Sequence, residues 1–116
     1  MEIAIQQQDE LSIVALSGEL NSQTASLAQE RLTPLGEPGC RVVLDLGQVS
    51  YMSSAGLRML LVMYREVKAR DATIALAGLS ERLQDIMAVT GFLKHFTVSP
   101  TVEEGIAALE KEITAA

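Results

Sequence analysis

The chain has 116 residues, 15 acidic against 9 basic side chains, a net charge of −6, 48% hydrophobic residues and no tryptophan. That size fits one domain that buries an aliphatic core without disulfides or metals, and its acidity without clustered Lys or Arg excludes a phosphate-backbone binder and docking on an anionic membrane. A lone Cys40 and a lone His95 exclude an internal disulfide and a Cys/His zinc centre, so neither a metal nor another cofactor is expected.

Met1-Glu2-Ile3-Ala4-Ile5 opens the chain without the basic segment and apolar run of a signal peptide. No apolar stretch reaches spanning length, and a cytoplasmic location is the expectation. Ile3 and Ile5 alternate with Glu2 and Ala4 as in a strand. A second strand is predicted over Leu11 to Leu16, close enough behind the first for an antiparallel hairpin, with Gly18 breaking the run. Asn21 and Ser22 are both good caps for a helix that carries Ala28, Leu32 and Leu35 on one face and ends at Pro34. Gly36, Pro38 and Gly39 make a loop. Val42-Val43-Leu44-Asp45-Leu46 is nearly continuous apolar, as in a strand covered on both faces.

Ser53 or Ser54 caps the next helix, and Leu57, Leu60, Leu61, Tyr64 and Val67 recur at helical spacing. If these face the core, Met59, Val62 and Met63 fall on the opposite side. Three apolar residues there form either a partner-binding patch or a surface covered by an adjacent helix. Ala72 to Ala77 reads as a buried strand. Ser80 caps a helix with Leu83, Ile86 and Met87 inward and Gly91 as its stop. Phe96-Thr97-Val98 makes a last short strand. Thr101 with Glu104 has the form of a capping box, opening a helix striped with Val102, Ile106, Leu109 and Ile113. The order β-β-α-β-α-β-α-β-α predicts a single α/β domain over 1–116, its mixed, mostly parallel sheet carrying an antiparallel N-terminal edge with helices packed on it.

The segment from Asp45 to Arg58 runs from the end of a buried strand, through a short loop, onto a helix start. In open parallel sheets such carboxyl ends gather sites. A helix N-terminus also offers free N–H groups and a partial positive charge. Spacing alone supports a plainer role as well, with Ser53 and Ser54 capping and Gly56 permitting close packing. The segment's loop has one Gly and no Lys, which rules out a phosphate-cradling Gly-rich loop. Cys40 has Arg41 as its only cationic neighbour, so an activated thiolate is not expected. His95 with Ser54 makes a poor hydrolase, without a Gly-x-Ser-x-Gly elbow or an orienting third group.

Taken whole, Tyr51-Met52-Ser53-Ser54-Ala55-Gly56-Leu57 resembles the phosphorylation loop of the STAS family, specifically the bacterial anti-sigma factor antagonists. Gly18-Glu19-Leu20-Asn21 resembles that family's Gly-Glu-Leu-Asp, and Leu83 to Phe92 resembles its helix ending in Thr/Ser-Gly-Leu/Phe. The resemblance implies a STAS-like domain, not an enzyme, that works by partner switching. Unphosphorylated, it binds an anti-sigma factor that is also a serine kinase; phosphorylated on Ser54, it is released until a serine phosphatase acts. ATP and Mg²⁺ belong to the kinase. Asn21 and Ser53 stand where the family usually has Asp. Asn21, Met52, Ser53, Ala55, Gly56, Arg58, Met59, Val62 and Met63 are the expected loop and partner-binding residues. Other readings are a non-switching scaffold, a lipid-transport accessory subunit and, last, a minimal serine hydrolase.

Overall fold

Two strands open the chain as an antiparallel hairpin, β1 (Glu2–Gln8) and β2 (Leu11–Leu20). Asp9 turns the corner at φ +56°, a left-handed conformation that a short Asp side chain tolerates. From β2 onward every pairing is parallel: β3 (Arg41–Met52), β4 (Thr73–Ala77) and β5 (Thr97–Ser99) follow in the order β1-β2-β3-β4-β5. Helices α1 (Ser22–Leu32), α2 (Ser54–Ala69) and α3 (Glu81–Val89) make the crossovers, and α4 (Val102–Ala115) closes the chain. The computed structural model describes residues 1–91, 94 and 96–115, with the backbone alone for 112–115. Phe92, His95 and the Ile113 side chain lie outside the described residues.

Consecutive strands paired in chain order with right-handed crossovers put α1, α2 and α3 on one face. There they bury Val14, Leu16, Val42, Leu44, Ile74 and Leu76 of the sheet. The opposite face is covered by α4, over Val43, Ala75, Ala77 and its own Leu109. Small residues there bring α4 close: a Cβ on Gly105 would already stand 3.4 Å from Val43 Cγ1. Each fully buried Leu or Met of this core contributes about 1.5–3 kcal/mol relative to exposure.

Three sequence-based expectations change. Gly18 does not end β2; at φ +107° it stays within a strand that continues to Leu20. The segment after Leu46 is strand as well, as far as Met52. Register shifts between Ala15 and Ser17 and between Gly18 and Glu19 mark two places where β3 carries an extra residue. Such bulges bend a strand and re-aim its side chains, so the inward residues of β3 are Val42, Leu44, Leu46, Val49 and Met52. Third, α2 presents to the core a stripe of Gly56, Met59, Leu60, Met63 and Val67, joined by Leu57. Leu61 and Tyr64, expected inside, are only half-buried. Met59 (3% exposed) and Met63 (0%) are core residues, because α1 packs alongside α2 on the same sheet face and covers that side of the helix. Pro34 behaves as expected: α1 gives way to a 3₁₀ turn over Thr33–Leu35.

Candidate functional site

The carboxyl ends of β2 and β3 finish side by side, Leu20 opposite Met52, and each strand feeds a helix. Beyond that pair the ladder continues once more, the Ser53 amide donating to the Leu20 carbonyl at 2.9 Å. The N-termini of α1 and α2 therefore emerge together at one edge of the sheet.

At the start of α1 the cap is Asn21, not Ser22. Its side-chain oxygen accepts from the Gln23 and Thr24 amides at 3.0 and 3.1 Å. The Thr24 hydroxyl accepts from the Asn21 amide at 2.8 Å and donates to the Glu19 carbonyl at 2.7 Å. Free N–H groups of a first turn are thereby satisfied reciprocally, with Thr where a capping box usually has Glu or Gln.

The two adjacent serines of α2 do different work. Ser53 is the N-cap, with extended backbone, and its Oγ accepts from the Gly56 amide at 3.3 Å. Ser54 is the first helical residue and is exposed. Gly56 is buried where the helix meets the strand ends: a Cβ there would stand 2.8 Å from the Leu20 carbonyl oxygen and 3.0 Å from Leu20 Cγ and Met52 Cγ. Its role is the close approach that seats α2 on β2 and β3. Arg58, one turn beyond Ser54, is exposed and falls on the same side of the helix at i, i+4.

The structure brings Asn21, Ser53, Ser54, Ala55 and Arg58 to one edge and removes others from the surface. Met52 (4% exposed), Gly56 and Met63 are inside, and Met59, 3% exposed, shows only an edge on the floor of the groove between α1 and α2. Val62 is half-buried. It lies on a shallow groove of about 160 Å³ between α1 and α2, shared with Ala55, Arg58 and, from α1, Ser22, Ser26 and Gln29. Sequence reasoning missed those α1 residues, although their spacing of four and three marks one polar helix face. It also passed over Tyr51, the last exposed residue before the site at 48%, paired with Glu19 across the ladder. Among the described residues no group of three His, Cys, Asp or Glu side chains is placed to hold a metal. No helix there is long and apolar enough to cross a membrane.

The profile of the STAS domain matches residues 2–105. The chain belongs to the STAS-domain family. It is 32% identical over 111 residues to the BtrV protein of Bordetella bronchiseptica, covering 95% of this chain and 96% of that one. To the anti-sigma-B factor antagonist of Bacillus subtilis it is 33% identical over 93 residues, 80% of this chain and 85% of that one. Among solved structures it superposes on the anti-sigma factor antagonist SpoIIAA in its unphosphorylated form with a TM-score of 0.78. The identity is 18%, and the match covers 95% of this chain and 97% of the other. The phosphorylated form of the Bacillus SpoIIAA gives a TM-score of 0.70 at 19% identity, over 92% and 98% of the two chains. At those identities the structural matches establish the STAS fold, and both curated relatives are named anti-sigma factor antagonists.

Proposed function

We propose that this protein is an anti-sigma factor antagonist that works by partner switching, with Ser54 as the acceptor of the phosphate. The observation that carries the reading is the division of labour between the two serines. The Ser53 hydroxyl is engaged in capping α2, whereas Ser54 stands exposed at the first helical position, where a kinase reaches it without unfolding the helix. The surface around it consists of Asn21, Ala55, Arg58, Val62 and the α1 residues across the groove, and this edge receives an anti-sigma factor with serine-kinase activity. A phosphate on Ser54 brings about two negative charges into a contact fitted to a neutral hydroxyl. Desolvation and misplaced charge of that kind cost several kcal/mol in an interface, and each 1.4 kcal/mol is about tenfold in affinity. A serine phosphatase then restores the binding form. The setting is the bacterial cytoplasm.

Asn21 and Ser53 each replace a carboxylate usual in the family. Both side chains are retained as helix caps, so the departures change the charge near Ser54 and leave the local backbone supported. Incubation with MgATP and a cognate anti-sigma factor kinase, read by intact mass, tests the assignment. Wild type and Ser53→Ala gain one phosphate, and Ser54→Ala gains none while retaining partner binding. Ser54→Asp binds the partner more weakly with its circular dichroism unchanged. Phosphate on Ser54→Ala as readily as on wild type overturns the choice of acceptor.

A further inference from the structure

The sheet face carrying α4 is only partly covered. Among the described residues this helix packs mainly on β3, β4 and β5, reaches β2 at Leu11, and leaves the rest of the same face of β1 and β2 open. Ala4 and Gln6 of β1 are exposed there, and Ile13 and Ala15 of β2 are half-buried. Together with Val102 and Ile106 of α4 they line a groove of about 400 Å³. Two strands at a spacing of about 4.8 Å make a strip roughly 10 Å wide, which is the diameter of one α-helix. The five residues from Ile13 to Ser17 run for about 17 Å at 3.3 Å each, the length of some 11 helical residues at 1.5 Å. The vacancy therefore has the dimensions of a single helix laid beside α4.

Its charge restricts what that helix is. Asp45 and Glu103 line the groove and no Lys or Arg does. Glu2 lies on the same face of β1 as Ala4 and Gln6 by strand alternation. Arg41, which pairs with Leu11 across the ladder at the far end, is itself engaged by Glu110 at 3.4 Å. A second copy docking through this same face would bring the Asp45 and Glu103 carboxylates of both copies into one interface, which is costly, and an anionic membrane is repelled for the same reason. We propose that this strip is a docking site for an amphipathic helix of another protein, apolar on the face turned to Ile13 and Ala15 and carrying Lys or Arg along its flanks. The strip lies on the sheet face opposite α2 and its Ser54, so the proposal stands independently of the switch.

The test titrates ¹⁵N-labelled protein with an amphipathic peptide of about 11 residues, leucine on one face and lysine on the flanks, and with its glutamate counterpart. The lysine peptide produces saturable amide shifts centred on Ala4, Gln6, Ile13, Ala15 and Ile106, and the glutamate peptide binds at least about tenfold more weakly. Ala4→Lys and Glu103→Lys, both at exposed positions, each weaken the lysine peptide several-fold while leaving the rest of the spectrum in place. No saturation at millimolar peptide overturns the proposal, as does equal binding of both peptides or shifts centred on the α1–α2 groove. Sedimentation showing a dimer that Ala4→Lys dissolves overturns it in favour of a second copy as the occupant.

Discussion

Replacing Gly56 by alanine sets two effects of opposite sign against each other. Inside a helix the change ordinarily stabilises by about 1 kcal/mol, through the backbone entropy that glycine loses on folding. At Gly56 the added methyl would stand 2.8 Å from the Leu20 carbonyl oxygen, with Leu20 Cγ and Met52 Cγ at 3.0 Å. That oxygen cannot turn aside alone, because it accepts the Ser53 amide at 2.9 Å and belongs to the last rung between β2 and β3. Overpacking of this kind costs about 1–3 kcal/mol. Because it meets backbone and not the free end of a side chain, the clash falls in the upper part of that range, about 2–3 kcal/mol, and after the propensity gain leaves a net loss of about 1–2 kcal/mol. Gly105 supplies the internal control. It too is helical, but its new methyl would meet Val43 Cγ1 at 3.4 Å, an ordinary contact, so Gly105→Ala keeps most of the gain, about 0.5–1 kcal/mol. With an unfolding entropy of about 2.1 cal/mol/K per residue, 116 residues give a shift of about 4 °C per kcal/mol. Thermal melts followed by circular dichroism should then place Gly56→Ala roughly 4–8 °C below wild type and Gly105→Ala about 2–4 °C above it. A Gly56→Ala protein melting at or above wild type would refute the packing of α2 on the strand ends.

Two further predictions follow from the same edge and its neighbour helix. Ser53→Ala removes the cap of α2 and should lower stability by about 1 kcal/mol, whereas Ser54→Ala should stay within about 0.5 kcal/mol of wild type. Equal losses in urea denaturation would show that the capping role is shared. Met59→Glu places a carboxylate at a position 3% exposed and should destabilise by at least about 3 kcal/mol. A wild-type midpoint for that variant would mean that α1 does not cover α2 as described.

The fold was legible because its signals are local. Ile3 with Ile5, the apolar run at Val42 to Leu46 and the cap-stripe-glycine pattern of Ser80 to Gly91 each declare one element, and chain order then fixes the sheet. What escaped depends on partners distant in sequence. β3 was read as ending at Leu46 because its inward residues change spacing from two to three, Leu46 to Val49 to Met52. Period-two alternation fails at a bulge, and the bulges exist only in relation to β2. The face of α2 is legible only in part for a similar reason: Leu57, Leu60 and Val67 are inside as expected, whereas Leu61 and Tyr64 are not. Two overlapping apolar stripes run along Leu57 to Val67, and only the presence of α1 on the same sheet face decides that Met59 and Met63 go inside. Also legible are the places of Asn21 at one helix cap and of Ser54 at the start of the next helix. Which serine caps could not be read from two adjacent hydroxyls, since each has the chemistry of an N-cap.

That single step between Ser53 and Ser54 is where structure bears most directly on the proposed switch. At the N-cap the Ser53 hydroxyl is half-buried and accepts the Gly56 amide, so a kinase would have to break that contact to reach it. One residue further on, the hydroxyl is exposed. The first helical position carries no capping bond to lose, and a negative group there interacts favourably with the helix N-terminus, by about 0.3–1 kcal/mol. Arg58, exposed on the next turn, adds an i, i+4 partner of opposite charge worth about 0.2–0.5 kcal/mol. The free domain should therefore be indifferent to phosphate at Ser54 or slightly stabilised by it, and in the proposed switch the whole penalty would fall on the complex, where the same charges would be desolvated against the partner. A switch of this kind requires that division: the released form must stay folded for a phosphatase to return it to service, and the bound form alone must feel the added charge.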